Sequence, residues 1–518
     1  MERNRAFLYL TAFTGGLVVL GTELAAASLM RPHFGTANLV WATIIGLMLL
    51  YLTAGYFIGG RWADRSPEPA TLYQIVAWAA FAVGIVPFVA QPVLSLAAPG
   101  FAHFRVALLG GSFVAVLILF SIPITLLGCI SPFVIRLSVR DVESSGQTAG
   151  AVYAISTVGS FLGAFLPDLL LIPVIGTRNT FVLLSLALFV VCFIGLFRVS
   201  SRAERRPLYL YLGMPIVIVL LALLLRGRPV KAATTGTVLY ETESSYNYIQ
   251  VVEQSDGCRH LLLNEGGGIH SVYCPDRLET PGPWDYFLVA PYFNPPPYGP
   301  DRIERVALIG LAAGTMARQY TEVHGAIPID GVEIDPDIIR VGEDYFAMNQ
   351  PNLNAIAADG RAYLAHTDHR YTVIGIDAYR LPYIPPHLTT VEFFRQARQR
   401  MTPDGVVAIN VGRAGDDYRL VRAMVATLLP VFPSVHVIDV PNSFNAVVVA
   451  TVQPSHSVNL AQNLPLLTHD PFLHATALRA VQNLRPTPPG DVVFTDDRAS
   501  IELMTNALLF DFVWRGGE

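Results

Sequence analysis

Between residues 305 and 380, glycines and carboxylates recur where apolar runs stop. The run Arg305–Ile309 leads into Gly310-Leu311-Ala312-Ala313-Gly314-Thr315. Small residues at such a turn let backbone approach a ligand closely. About 20 residues on, the next apolar run ends in Val332-Glu333-Ile334-Asp335. A carboxylate there can accept hydrogen bonds from both hydroxyls of a ribose. The third run ends in Ala358-Asp359-Gly360-Arg361, where a carboxylate can accept from an adenine amino group. The fourth ends in Ile376-Asp377-Ala378-Tyr379-Arg380, whose carboxylate would lie beside a reacting carbon. A lone glycine pattern is weak evidence; four acid- or glycine-bearing ends in this order point to an adenosyl nucleotide of the S-adenosylmethionine type.

These segments need strands and helices to position them. The sequence predicts strands at Arg305–Ile309, Ile327–Glu333, Asn354–Ala358, Tyr371–Ile376, Gly405–Val411 and Val435–Val440. Helices are predicted at Ala312–Val323, Pro336–Tyr345, Arg361–His366, Thr390–Met401 and Leu420–Leu429. Repeated βαβ units build a doubly wound, mainly parallel sheet, and ligands bind beyond the carboxyl ends of its strands. Ahead of this domain, Tyr246–Glu253 and Arg259–Asn264 read as short strands, followed by a Pro-rich linker from Asn294 to Pro300. His366 and His369 share a helical face, but no further ligand spacing accompanies them, so no metal is expected. Asp496 and Asp497 either close the site from the tail or belong to a solvated turn.

The first 230 residues are of another kind. The 518-residue chain is 52% hydrophobic and 14% charged, with mean hydropathy +0.45, against about 25% charged residues in soluble proteins. A bilayer span needs about 20 apolar residues. Seven stretches qualify or nearly so: Ala6–Met30, Leu39–Gly60, Leu72–Leu96, Val106–Leu127, Ala149–Ile175, Thr180–Phe197 and Leu208–Leu225. The segment Cys129–Val139 reads as a short interfacial helix. Gly150, Ala151, Ser156, Gly159, Ser160, Gly163 and Ala164 crowd the fifth span and would let another helix approach closely. Glu23 and Asp168 lie inside spans, either as a polar site or as structural partners of an arginine such as Arg31 or Arg178. The net charge of -5 argues against a nucleic-acid partner, and Lys231 is the only lysine.

Orientation is contested. With an inside N-terminus, inside loops carry Arg3, Arg5, Arg61, Arg65, Arg136, Arg140, Arg198, Arg202, Arg205 and Arg206. Outside stand Arg31, Arg105, Arg178, Arg226, Arg228 and Lys231. Positive residues favour the cytoplasmic side, so the count of ten against six puts the soluble domain outside, whereas an adenosyl cofactor is made in the cytoplasm. Cys258 and Cys274 are equidistant from a hairpin turn near Gly266. They either meet as reduced thiols or form a disulfide, which would indicate an oxidising compartment.

The residues from about Thr237 to Val452 resemble the spermidine synthase (polyamine aminopropyltransferase) family, within the class I methyltransferase-like fold. The matching pieces are the small β unit, the glycine turn, Val332-Glu333-Ile334-Asp335, Asp359-Gly360 and the strand-end Asp377. The whole chain looks like the membrane-fused members, which Gly59-Gly60-Arg61-Trp62-Ala63-Asp64-Arg65 and Thr495-Asp496-Asp497-Arg498-Ala499 also fit. The resemblance implies that Glu333 binds ribose, Asp359 binds adenine and Asp377 is the catalytic carboxylate with Tyr379 beside it. Asn247, Gly310, Ala313, Gly314, Asp335 and Gly360 complete the nucleotide site. Tyr246, Trp284, Asp285, Tyr286 and Arg380 fall on the acceptor side.

Some positions depart from the family. The glycine turn normally carries an aspartate that meets the donor's amine, where this chain has Ala313. Intact S-adenosylmethionine thus joins decarboxylated S-adenosylmethionine as a candidate donor. A second aspartate that grips a polyamine is replaced by Arg380, which repels a diamine and attracts a carboxylate or phosphate. The family's Tyr-Gln pair appears as Tyr246-Asn247, and Trp284-Asp285-Tyr286 stands nearest its Tyr-His-Glu segment.

The expected architecture is therefore a transmembrane helical domain (1–230), a small β unit with linker (231–300), a Rossmann-like domain (301–455) and a C-terminal extension packing on it (456–518). The expected chemistry is transfer of an aminopropyl-type group with release of methylthioadenosine. Methyl transfer, lyase cleavage of the same donor, and a nucleotide-binding sensor gating a membrane transporter are the alternatives. A small-molecule substrate and the lipid bilayer are the partners expected of a multi-pass membrane protein, with a homodimer left open.

Overall fold

The computed structural model describes residues 2–35, 38–97, 106–139, 141–199, 208–226, 231, 233, 235–264, 266, 268–280, 282–380 and 382–514. Arg105, Arg140, Arg202, Arg205, Arg206 and Arg228 of the charge count, and Glu265 and Gly267 of the hairpin turn, lie outside the described residues. The chain divides into two compact units. One holds residues 1–232, 241–248 and 264–266; the other holds 233–240, 249–263 and 267–518.

The first unit is built from helices α1 (Glu2–Phe34), α2 (Asn38–Arg65), α3 (Pro69–Ala97), α4 (Val106–Gly128), α5 (Ile130–Ser138), α6 (Ser145–Leu166), α7 (Ile172–Val199) and α8 (Leu208–Leu224). Seven spans were expected; among the described residues five apolar helical stretches are long and apolar enough to cross a membrane. The fifth, Ser145–Val199, is 55 residues long and contains both the fifth and sixth expected spans. A π turn, Pro167–Leu171, joins α6 to α7 without ending the helix. The helical path breaks at Gly176 (φ 78°, ψ 162°), a conformation glycine adopts without a Cβ penalty. The seventh stretch, α8, has only 17 residues. The expected interfacial helix is α5, which follows α4 across Cys129.

Helix α1 packs along α6, and the small residues of α6 explain how. A Cβ on Gly159 would run into the Phe13 carbonyl, and one on Gly163 into the Leu17 carbonyl. Ser160 Oγ donates to the Gly16 carbonyl at 3.1 Å. Backbone thus meets backbone, the contact that small residues permit where no hydrophobic effect drives association. Arg178 donates to the Leu225 carbonyl at 2.7 Å, and Arg31 to Ser28 Oγ at 3.3 Å. The Glu243 carboxylate accepts the Thr177 N–H just beyond the Gly176 break, at 2.5 Å.

Strands β1 (Thr237–Glu243), β2 (Tyr248–Glu253), β3 (Arg259–Leu263) and β4 (Ile269–Tyr273) form a sheet in that order. In the β3–β4 pairing Arg259 lies opposite Tyr273, so the neighbouring Cys258 and Cys274 meet and are joined by a disulfide. Helix α9 (Trp284–Phe287) follows. The Pro-rich stretch expected as a linker is packed: Asn294 is 1% and Tyr298 2% exposed, and Tyr298 donates to Asp404 at 3.0 Å.

The main sheet contains β5 (Val306–Ile309), β6 (Ile329–Glu333), β7 (Leu353–Ala357), β8 (Tyr371–Ile376), β9 (Met401–Gly412), β10 (Ser434–Asp439) and β11 (Asn445–Thr451), in the order β10-β11-β9-β8-β5-β6-β7. Pairings among β5 to β9 are parallel. Both pairings of β11 are antiparallel. The sequence reading stopped at Val435–Val440 and missed β11, which returns as a hairpin from β10 rather than through a crossover helix. Helices α10 (Thr315–His324), α11 (Pro336–Tyr345), α12 (Gly360–His366), α13 (Val391–Gln399) and α14 (Arg419–Leu428) connect the strands. Helix α10 starts three residues later than expected, because Ala312 and Gly314 adopt positive φ.

Side chains alternate across a strand, and β5 shows the result. Val306 and Leu308 enter one apolar core with Phe287, Ala317 and Tyr320. Ala307 and Ile309 enter another with Leu364, Phe393 and Met424. After β11, α15 (Val458–Asn463) and α16 (Pro471–Gln482) contribute Leu460, Leu473 and Ala477 to the first core. Helix α17 (Ile501–Trp514) contributes Ile501 and Leu508 to the second.

Candidate active site

The chain runs outward from β5 to β6 and β7 on one side and to β8 on the other. That reversal between β5 and β8 is the topological switch point, where doubly wound sheets open a crevice. Ile309 lies opposite Ile376 in the register, so the glycine turn and Asp377 face each other there. The Asp377 N–H donates to the Ile309 carbonyl at 2.9 Å. Gly310 has φ 86°, and a Cβ on it would stand 2.5 Å from the Asp377 carbonyl oxygen. Only glycine satisfies both conditions.

Asp377 is held by two neutral donors. Trp284 Nε1–H donates to Oδ2 at 2.9 Å, and Asn410 Nδ2–H to Oδ1 at 2.9 Å. Burial pushes its pKa up, and the two hydrogen bonds oppose that rise. Tyr379 Oη–H donates to the Asn410 carbonyl at 3.1 Å, and burial with the adjacent Asp377 charge keeps its phenol protonated. Arg380 is exposed and pairs through its backbone with Tyr383.

On the other side of the turn, Glu333 ends β6. Its Oε2 accepts the Ala312 N–H at 3.0 Å, and its Oε1 the Asp335 N–H at 3.1 Å. Burial pushes its pKa up to about 7 against these bonds. Asp335 is fully buried and caps α11, accepting the Asp337 N–H at 3.1 Å. Asp359 caps α12 through the Ala362 N–H at 2.9 Å and pairs with His387 Nε2 at 2.8 Å. Burial would raise its pKa; the Ala362 and His387 bonds hold it below the usual carboxylate range. Gly360 is buried, and a Cβ there would strike Ile309.

The remaining candidates divide. The Ala313 N–H donates to Ser271 Oγ at 2.9 Å, and Gly314 (φ 86°) precedes α10. Trp284 reaches Asp377, but its neighbour Asp285 is engaged elsewhere, by Thr280 at 2.7 Å and Gln319 at 2.7 Å. Burial pushes Asp285 up to about 6 despite those bonds. Tyr286 is buried, with its phenol pKa raised by that burial. Tyr246 and Asn247 belong to the helical unit; Tyr246 is exposed and Asn247 Oδ1 accepts from Asn264 at 2.9 Å. Asp496 pairs with Arg361 at 2.6 Å and accepts from Thr390 at 2.7 Å. Among the described residues no group of three His, Cys, Asp or Glu side chains is arranged to hold a metal.

Sequence reasoning missed Asn410 and His387. Asn410 was legible in principle, as the one polar residue in Val406-Val407-Ala408-Ile409-Asn410-Val411. His387 left no local signal.

A mainly parallel seven-stranded sheet with an antiparallel β11, a glycine turn and acids ending β6, β7 and β8 defines a methyltransferase-like domain. Over about half of its length the chain is similar to polyamine aminopropyltransferases. It is 30% identical over 284 residues to a probable polyamine aminopropyl transferase of Bifidobacterium longum, covering 51% of this chain and 61% of that one. It is 30% identical over 190 residues to a polyamine aminopropyltransferase of Vibrio vulnificus, covering 34% of this chain and 59% of that one. It thus spans less than two thirds of either relative. A probable spermidine synthase structure from Corynebacterium glutamicum aligns at TM-score 0.39 and 19% identity, over 50% of this chain and 98% of that one. No family model matches the chain.

Proposed function

We propose that this chain is a membrane-bound transferase of the aminopropyl type, with Asp377 as its base. The observation that carries the reading is the half-buried Asp377 carboxylate at the switch point, held by Trp284 and Asn410. Glu333 would receive the ribose hydroxyls and Asp359 the adenine amino group. Methylthioadenosine leaves when a nitrogen lone pair attacks the donor carbon beside the sulfonium. The new C–N bond forms as the C–S pair returns to sulfur, and Asp377 takes the proton lost by nitrogen. A positioned base of this kind contributes about 10²–10⁴ in rate, and alignment of donor and acceptor supplies more. The sulfonium loses its charge as it reacts, so no new anion needs stabilising. Tyr379 and the exposed Arg380 would bound the acceptor side.

A second reading keeps the site and changes the donor. Ala313 places no acid in the turn, which admits a donor that retains its carboxylate. Methyl transfer from intact S-adenosylmethionine then becomes the competitor. A human eEF1A lysine and N-terminal methyltransferase is 26% identical over 167 residues, covering 29% of this chain and 23% of that one.

Both are tested by incubating the purified full chain with either donor, with and without amines, and identifying the nucleoside released. Methylthioadenosine from decarboxylated donor plus amine supports aminopropyl transfer, and S-adenosylhomocysteine supports methylation. Nucleotide binding without turnover, under every combination, would refute a transferase and favour a sensor. Asp377→Asn should abolish turnover and spare nucleotide binding; unchanged turnover removes Asp377 from catalysis.

A further inference from the structure

The disulfide Cys258–Cys274 is wired to the glycine turn. Cys274 directly follows β4. From that strand and its end, contacts reach the turn and the start of α10 in succession. Ser271 Oγ accepts the Ala313 N–H at 2.9 Å. The Val272 N–H donates to Thr315 Oγ1 at 2.8 Å, and the Thr315 hydroxyl donates back to the Val272 carbonyl at 3.0 Å. Arg318 Nη1 donates to the Cys274 carbonyl at 2.7 Å. The bond closes a sequence separation of 16, and both cysteines are almost fully buried, at 3% and 4% exposure. Arg277 lies against the pair, with Nε 3.3 Å from Cys274 Sγ and Nη2 3.2 Å from Cys258 Sγ. Nη2 is itself held by Asp256 at 2.8 Å.

We infer that Cys258–Cys274 is a structural disulfide that braces the nucleotide turn and is installed in an oxidising compartment, on which side of the membrane the soluble half therefore works. The role of the turn rests on the function proposed above; the brace itself does not. The cross-link fixes the β3–β4 register beside Ser271 and Val272, and their hydrogen bonds pass that order to Ala313 and Thr315. Formation removes two electrons and two protons from the two thiols. The oxidant is the disulfide of a dithiol oxidoreductase. A Cys258 or Cys274 thiolate attacks it to give a mixed disulfide, the second thiolate displaces it, and the partner leaves as two thiols. A neighbouring guanidinium favours thiolates, which gives Arg277 a part in that exchange. Such bonds persist outside the reducing cytoplasm.

The first test is made on cells. Expressing cells are lysed into N-ethylmaleimide without reductant, and the cysteine peptides are mapped by mass spectrometry. One peptide bridged between Cys258 and Cys274 is expected; maleimide on both Cys258 and Cys274 would overturn both the bond and the compartment. The second test compares the full chain in detergent, oxidised and after reduction and alkylation. Affinity for methylthioadenosine should fall about tenfold on reduction, or ~1.4 kcal/mol, and Cys258→Ser/Cys274→Ser should match the reduced protein. Equal affinity overturns the brace. Hydrogen exchange, run without nucleotide, should quicken over residues 258–276 and 311–316 alone. Unchanged exchange there, or a rise across the whole main sheet, overturns the brace as well. If the oxidised protein binds no nucleotide while exchange quickens as expected, the brace stands and the nucleotide assignment fails instead.

Discussion

Trp284→Phe isolates how the site tunes its base. The indole N–H is one of two donors to Asp377, and phenylalanine keeps most of the ring while removing that donor. A hydrogen bond to a charged group contributes about 1.5–3 kcal/mol, and ~1.36 kcal/mol is one pKa unit. Loss of the donor penalises the ionised form, so the Asp377 pKa should rise by about 1 to 2 units. Burial already holds that pKa above the ordinary carboxylate value. The base exists only above its pKa, so activity is lost as pH falls through it, and the variant should lose activity at a higher pH. The assay is release of methylthioadenosine from decarboxylated donor plus amine, followed as kcat/KM from pH 5 to 9. The acid limb should move up by about 1 to 2 pH units, with most activity recovered at the alkaline end. A uniform loss at every pH, or a limb that stays in place, would refute the claim that Trp284 tunes Asp377.

Two further expectations concern affinity and assembly. Glu333 stands at about 7 in the free protein, and ribose hydroxyls donate best to its ionised form. Methylthioadenosine affinity should therefore fall as pH drops below about 7, by up to about tenfold per unit as one proton competes with ligand. Glu333→Gln should flatten that dependence in titration calorimetry, and an unchanged slope assigns it elsewhere. In the helical unit, Gly159→Val would drive a branched side chain into the Phe13 carbonyl. Overpacking costs about 1–3 kcal/mol and sometimes more, so the variant should lose its monodisperse peak in detergent, while the exposed Val158→Ala should retain it.

Much of the soluble half was legible because its signals are local. Acids and glycines close apolar runs, and those runs are strands, so Gly310, Glu333, Asp359 and Asp377 could be placed in order along one edge. What stayed hidden are contacts between distant parts of the chain. Trp284 and Asp377 are 93 residues apart, and no periodicity couples them. Asp285 was read as an acceptor-side residue from the likeness of Trp284-Asp285-Tyr286 to a family segment; in the fold its carboxylate accepts from Thr280 and from Gln319, 34 residues away. The cysteines were equidistant from their turn, but a register shift at Leu261/Leu262 shows why counting alone left their pairing open. In the helical half, apolarity fixes how much chain is membrane-like. It does not locate the break at Gly176, which depends on one residue's backbone angles.

The seam between α1 and α6 also bears on how the protein is made. Helix α1 is synthesised first, but the glycines and serine that receive its backbone lie in α6, which begins at Ser145. Until that segment emerges, α1 has no partner for the carbonyl-lined face that Gly159 and Gly163 will cover. The helices between them are therefore made before this seam can close. A truncation before Ser145 should leave the Phe13 and Leu17 carbonyls of α1 uncovered, although α1 keeps its contacts with α2, α3, α4 and α5.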